Sequence, residues 1–208
     1  MTFRGWPAEA LEFYDGLEAD NSKAYWSARK EVYETAVRAP MLALLADLEP
    51  QLGPGKVFRP NRDVRFSADK SPYKTAIGAT VGDGNGYVQL SARGLAAGVG
   101  MYALARDQLA RYRRAVDDDL AGGELTRVVA RLSAAKIPVT GHDSLRTVPR
   151  GYPADHPRIA LLRYKGITAW QQWPAGAWLE SAQARDRVRS FLRTTRPLCS
   201  WLADHVRR

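Results

Sequence analysis

The 208-residue chain carries 31 Lys and Arg against 22 Asp and Glu, a net charge of +9, with 45% hydrophobic and 25% charged residues. That balance excludes a disordered or fibrous chain, and the longest aliphatic run, MLALLA at 41–46, is too short for a membrane-spanning helix. The positive excess points to anionic partners, although most of the cations are arginines scattered along the whole sequence.

The single cysteine, Cys199, has no partner for an internal disulfide and sits in the apolar run PLCSWL as a small hydrophobe. A reducing, cytoplasmic setting is expected. The opening MTFRGWPAEA lacks the apolar core of a secretory signal. No internal repeat or linker interrupts the chain, so one domain over residues 1–208 is expected.

Ala10, Phe13, Tyr14 and Leu17 recur at helical spacing and predict a first helix over 8–18. Asp20, Asn21 and Ser22 supply cap chemistry for a second, with Tyr25, Trp26, Val32, Tyr33, Ala36 and Val37 inward, ending before Pro40. MLALLADL predicts a third helix, closed by the breaker GPG at 53–55.

The period then changes. AIGATVG, YVQLSAR and GVGMYAL, joined by the hairpin turn DGNG and by Gly94, predict an antiparallel meander. Asp107 is expected to cap a helix burying Leu109, Tyr112, Val116 and Leu120, which Gly122-Gly123 breaks before another helix over Leu125–Leu132. Residues 137–158 suit a loop with a short strand, IALLRYK a short helix or strand, and GITAWQQW a strand returning to the sheet. From Ser181 the chain is helical, with an interruption expected near Pro197. The expected class is α+β, with one antiparallel or mixed sheet covered by N- and C-terminal helices.

Residues 58–74, FRPNRDVRFSADKSPYK, concentrate Arg59, Arg62, Arg65, Lys70 and Lys74 around two acids, Asp63 and Asp69. Pro60-Asn61 and SADKSP are turn-formers, so the segment cannot be one helix. If Val57, Phe58, Val64 and Phe66 face the core, preorganised backbone would hold the cations at defined positions. Arg forks, Lys point charges and a Tyr73 hydroxyl would then suit a phosphate or carboxylate. Arg163 and Lys165 are expected to join this site, with Asn21, Trp26, Asp63 and Asp69 supporting it. A nucleotide base could stack on Tyr73 or Trp26.

The order Leu17, Asn21, Trp26, Tyr33, Pro40, then FRPNRDVRFSADKSPYKT, then GMY…DQL and HP…LRYK, resembles the DUF2461 family, a widespread group of bacterial and fungal proteins. The resemblance spans Trp6 to Trp173, and the chain departs from the family pattern at Asp20, where a second Asn is expected. It implies a single α+β domain and assigns no reaction.

The leading expectation is thus an anion-binding domain for a phosphorylated or carboxylated small molecule. One alternative is an enzyme acting on such a ligand, with Asp63 or Asp69 as base; its catalytic residues are otherwise unknown. The other is weak, nonspecific nucleic-acid binding, to which the C-terminal arginines 185, 187, 189, 193 and 196 would contribute. The opposing reading pairs Asp63 and Asp69 with Arg62, Arg65 or Arg163 in an internal ionic network. His142, His156 and His205 lack metal-ligand spacing, so no metal or cofactor is expected. His156, beside Asp155, suits a turn better than a general base, and turn chemistry also accounts for Ser67 and Ser71 beside Lys70.

Overall fold

The computed structural model describes residues 2–65, 68–82 and 86–207. It is α+β, with a single antiparallel sheet of six strands in the order β1-β2-β3-β4-β6-β5. The chain divides into two compact units, residues 1–97 with 172–190 and residues 98–171 with 191–208.

In the first unit α1 (Glu9–Ala19) buries Ala10, Phe13, Tyr14 and Leu17, the stripe expected from spacing. Ser22 caps α2 (Lys23–Val32), its side chain accepting the Tyr25 N–H at 3.1 Å. The expected stop before Pro40 does not occur. A π-helical turn over Tyr33–Arg38 leads directly into α3 (Ala39–Leu52), and the Ala39 N–H bonds back to the Glu34 carbonyl. Pro40 lies directly after this widened turn, which accommodates its ring and its missing N–H within the continuing helix.

Helix α3 packs against β1 (Lys56–Val57) and β2 (Ala76–Val81). β2 pairs with β3 (Gly86–Ser91) from Ala76↔Ser91 to Val81↔Gly86, and β4 (Gly94–Met101) completes the expected meander. Most of the DGNG turn, residues 83–85, lies outside the described residues. Trp6 is fully buried and its indole N–H donates to the Val37 carbonyl at 3.2 Å, anchoring the N-terminal segment on the helical layer.

In the second unit α4 (Arg106–Asp117) begins one residue before Asp107, which pairs with Arg111 at 2.9 Å instead of capping; the Gln108 side chain accepts the Ala105 N–H. The break expected at Gly122-Gly123 falls earlier. Asp118 caps α5 (Asp119–Ala134), accepting from Leu120 N at 3.0 Å and Ala121 N at 2.8 Å, and both glycines lie inside that helix. The corner turns Leu120 outward, to 84% exposure. A Cβ on Gly122 would stand 2.1 Å from the Val116 carbonyl oxygen, so this glycine permits the close approach of α4 and α5.

Strand β5 (Val139–Thr140) pairs antiparallel with β6 (Ile167–Trp173), and Ile159–Leu162 forms the short helix α6. Helix α7 (Gln183–Leu202) passes through Pro197 without the expected interruption, and a π-helical turn over Ala203–Arg207 follows. Phe191, Leu192, Leu198, Trp201 and Leu202 are buried along it, and that apolar burial offsets the hydrogen bond the proline removes. Among the described residues no helix is long and apolar enough to cross a membrane.

Candidate functional site

The cation-rich segment leaves the sheet at its edge. Phe58 continues the β1 pairing, its N–H donating to the Gly78 carbonyl at 2.9 Å. Two further bonds, Arg62 N to Pro72 O at 2.9 Å and Lys74 N to Pro60 O at 2.8 Å, pinch the chain into a neck at the Asn61↔Tyr73 bridge. The Lys74 ammonium donates to the Arg59 carbonyl at 2.9 Å and lies over the Phe58 ring. From the helical layer, Asn21 accepts the Tyr73 N–H at 3.0 Å and donates to the Tyr73 carbonyl at 3.1 Å.

Beyond the neck the charges pair locally. Asp63 accepts from the Arg65 guanidinium at 2.7 and 2.9 Å, Asp69 pairs with Arg62, and the Lys70 ammonium donates to the Val64 carbonyl at 3.0 Å. The pairings foreseen for Arg62 and Arg65 therefore form, but at the surface, with the Arg65 side chain 76% exposed. Hydrogen bonds from Ser71, then from Arg62, hold the Asp69 carboxyl down at about 2. Arg65 likewise lowers that of Asp63. Phe66 and Ser67 lie outside the described residues. Phe58 is 40% exposed rather than in the core, because it sits on the edge strand under Lys74.

Arg59, whose charge also acts on the Asp63 carboxylate, borders a separate cleft. With Lys56 to Asn61 it forms one wall of an open cleft of about 680 Å³, whose other wall is Trp26, Lys30, Tyr33, Glu34 and Arg38 from α2 and the π-helical turn. Four cations face one acid, and that acid, Glu34, is paired with Arg38 at 3.2 Å. Among the described residues Lys30, Lys56 and Arg59 form no ion pair. Trp26 stacks on Tyr73, ring centroids 4.3 Å apart and planes 8° from parallel, which buries Tyr73 beneath the helical wall.

A family model of conserved hypothetical proteins, DUF2461, matches residues 9–201. The chain belongs to DUF2461. Among the curated proteins and the solved structures compared with it, none matches. The DUF2461 match takes in both walls of the cleft as well as the neck.

Of the residues expected at the site in this DUF2461 chain, the structure thus brings Arg59 and Trp26 to the cleft. It leaves Arg62, Arg65 and Lys70 in the loop beyond the neck, and it uses Lys74, Tyr73 and Asn21 to hold that neck. Arg163 and Lys165 belong to the second unit. There Lys165 pairs with Asp143 at 2.9 Å, and the buried Arg163 Nε has no hydrogen-bond partner among the described residues. Sequence reasoning missed Lys30, Arg38 and Lys56. Lys30, Glu34 and Arg38 recur every four residues, a signal identical to that of a solvated helical stripe.

His156 is oriented by Asp117, its Nε2 3.1 Å from the carboxylate, rather than by Asp155. Its Nδ1 accepts the Arg158 N–H at 3.0 Å, so one ring nitrogen serves the turn and the other ties it to the end of α4. Among the described residues no group of three or more His, Cys, Asp or Glu could hold a metal ion.

Proposed function

We propose that the cleft between α2 and the β1 edge binds a phosphorylated or carboxylated small molecule. The observation that carries this reading is the excess of cations over acids on its walls, with Lys30, Lys56 and Arg59 forming no ion pair among the described residues. An anion entering there gains charge-assisted hydrogen bonds from groups already oriented, and Arg59 and Arg38 offer planar forks for paired oxygens. We place this activity in the cytoplasm, where the lone thiol of Cys199 would stay reduced.

The other readings draw less support. Asp63 and Asp69 have carboxyls held below the usual range, which makes both weak bases at neutral pH. The arginines of α7 suit nucleic acid less than their number suggests. Arg185 bonds Asp47 and Asp186, Arg189 lies 3.7 Å from Asp186, and Arg187 covers the Trp178 ring.

Thermal unfolding at low salt, with a panel of phosphate, nucleotides, sugar phosphates and di- or tricarboxylates, tests the proposal. A hundredfold excess over Kd should raise the melting temperature by about 5–10 °C. The double variant Lys30→Ala, Arg59→Ala should fold and lose that rise. Absence of any shift across the panel, or its persistence in the variant, would overturn the assignment.

A further inference from the structure

The cleft runs along backbone as well as side chains. Lys56, Val57, Phe58 and Arg59 are consecutive in an extended segment, so their side chains alternate between the two faces of the sheet. All four can line one cleft only if it follows the edge of the strand. β1 is the terminal strand, with no strand beyond it among the described residues. Because the Phe58 N–H bonds to Gly78, Phe58 faces β2, and the Val57 N–H and C=O and the Arg59 N–H point outward. Such a row of groups is a template for another extended chain.

The aromatic walls disfavour a nucleobase. Tyr73 takes one face of Trp26, Tyr33 lies 4.7 Å from the same ring, and the Lys74 ammonium covers Phe58. The spacing of the cations favours a strand instead. Lys30 and Arg38 are eight residues apart along the helical wall, at most roughly 12 Å at 1.5 Å per residue, because the π-helical turn between them rises less per residue. Acidic side chains at alternate positions of an extended peptide repeat about every 6.6 Å on one face, so two of them four residues apart span roughly 13 Å.

Resting on the anion-binding reading of this cleft, we infer that its ligand is a short acidic peptide lying extended along the outer edge of β1. Its backbone pairs with Val57 and Arg59, and carboxylates at alternate positions meet Lys30 and Arg38.

The test titrates the full chain with an acetylated Glu-Val-Glu-Val-Glu peptide and with two analogues N-methylated at alternate amides. In an added strand, alternate N–H groups face the edge and the rest face away. One analogue should therefore bind at least about tenfold more weakly, for the loss of its edge bonds, while the other keeps its affinity. Equal behaviour of the two analogues, whether both retain binding or both lose it, overturns the edge pairing. Binding of phosphate or nucleotides without any binding of the peptide overturns the peptide assignment and leaves the anion-binding reading standing. If neither peptide nor any small anion binds, both fall.

Discussion

The side-chain amide of Asn21 bonds both backbone groups of Tyr73, accepting its N–H at 3.0 Å and donating to its carbonyl at 3.1 Å. It thereby does for Tyr73 what a neighbouring strand would do, at the point where Trp26 stacks on the Tyr73 ring. This residue and that stack tie the helical layer to the neck of the cation-rich loop.

Asn21→Ala leaves two half-buried backbone groups unpaired, which costs about 1–3 kcal/mol. At roughly 2–4 °C per kcal/mol, the melting temperature should fall by about 2–12 °C. Amide exchange at Tyr73 should accelerate with it. Asn21→Asp keeps an acceptor but loses the donor, and should fall between wild type and alanine. Unchanged exchange at Tyr73 in the alanine variant would show that the bridge contributes nothing.

The two adjacent glycines of α5 should respond in opposite directions to alanine. A Cβ on Gly122 would lie 2.1 Å from the Val116 carbonyl oxygen, which is backbone and cannot rotate away. Gly122→Ala is therefore expected to cost more than about 2 kcal/mol. At Gly123 the nearest atom to a new Cβ is Arg127 Nη1, 3.8 Å away at the end of a flexible side chain. Gly123→Ala should stabilise by about 0.5–1 kcal/mol through helix propensity. Urea unfolding of both variants checks the pair, and equal effects would refute the close-approach argument.

These glycines also mark where sequence and structure part. Helical spacing locates α1, and short Gly-punctuated runs locate the meander, because burial repeats with the period of the element. Breakers were less informative: Gly122-Gly123 and Pro197 suggested ends, yet tertiary packing carries the helices across them. The neck residues Asn21, Tyr73 and Lys74 stood out in the sequence, since turn-formers and cations in an irregular segment are unusual. Lys30, Arg38 and Lys56 did not. Whether a stripe of helical cations faces water or an edge strand depends on where α2 is laid, and no local pattern encodes that.

Asp69 gives the loop an acid limit. Its carboxyl, held at about 2 by Ser71 and Arg62, lies below the unfolded value near 3.9. A lowered value means the ionised form is favoured by the fold, so its contribution is complete above about pH 4 and disappears as pH falls towards 2. Side-chain carbon chemical shifts of Asp69 should titrate in that window, together with the Ser71 amide. Asp69→Asn should remove the pairing with Arg62 at every pH and speed proteolysis within residues 62–72, with global unfolding little changed because the pair is exposed. A midpoint near 4 in the wild type would contradict the pairing.

Tyr33 supplies the last expectation. It is 2% exposed, and burial first, then the Glu34 carboxylate, pushes its phenol up to about 12, while Arg38 opposes the shift. The unfolded value is near 10, so the stabilising effect of the protonated phenol is fully present below about pH 10 and is lost as pH rises through about 12. Stability should therefore decline from pH 10 upward, and the buried phenols of Tyr14 and Tyr112, pushed up in the same direction, should steepen the fall. Because Arg38 lowers the Tyr33 value, Arg38→Ala should move its near-ultraviolet titration to still higher pH. An anion bound in the cleft should do the same, since it cancels the field of Arg38 on a phenol that lines the same wall. The Tyr33 titration would thus report cleft occupancy in the wild type. A ligand that stabilises the protein but leaves that titration unmoved binds somewhere else.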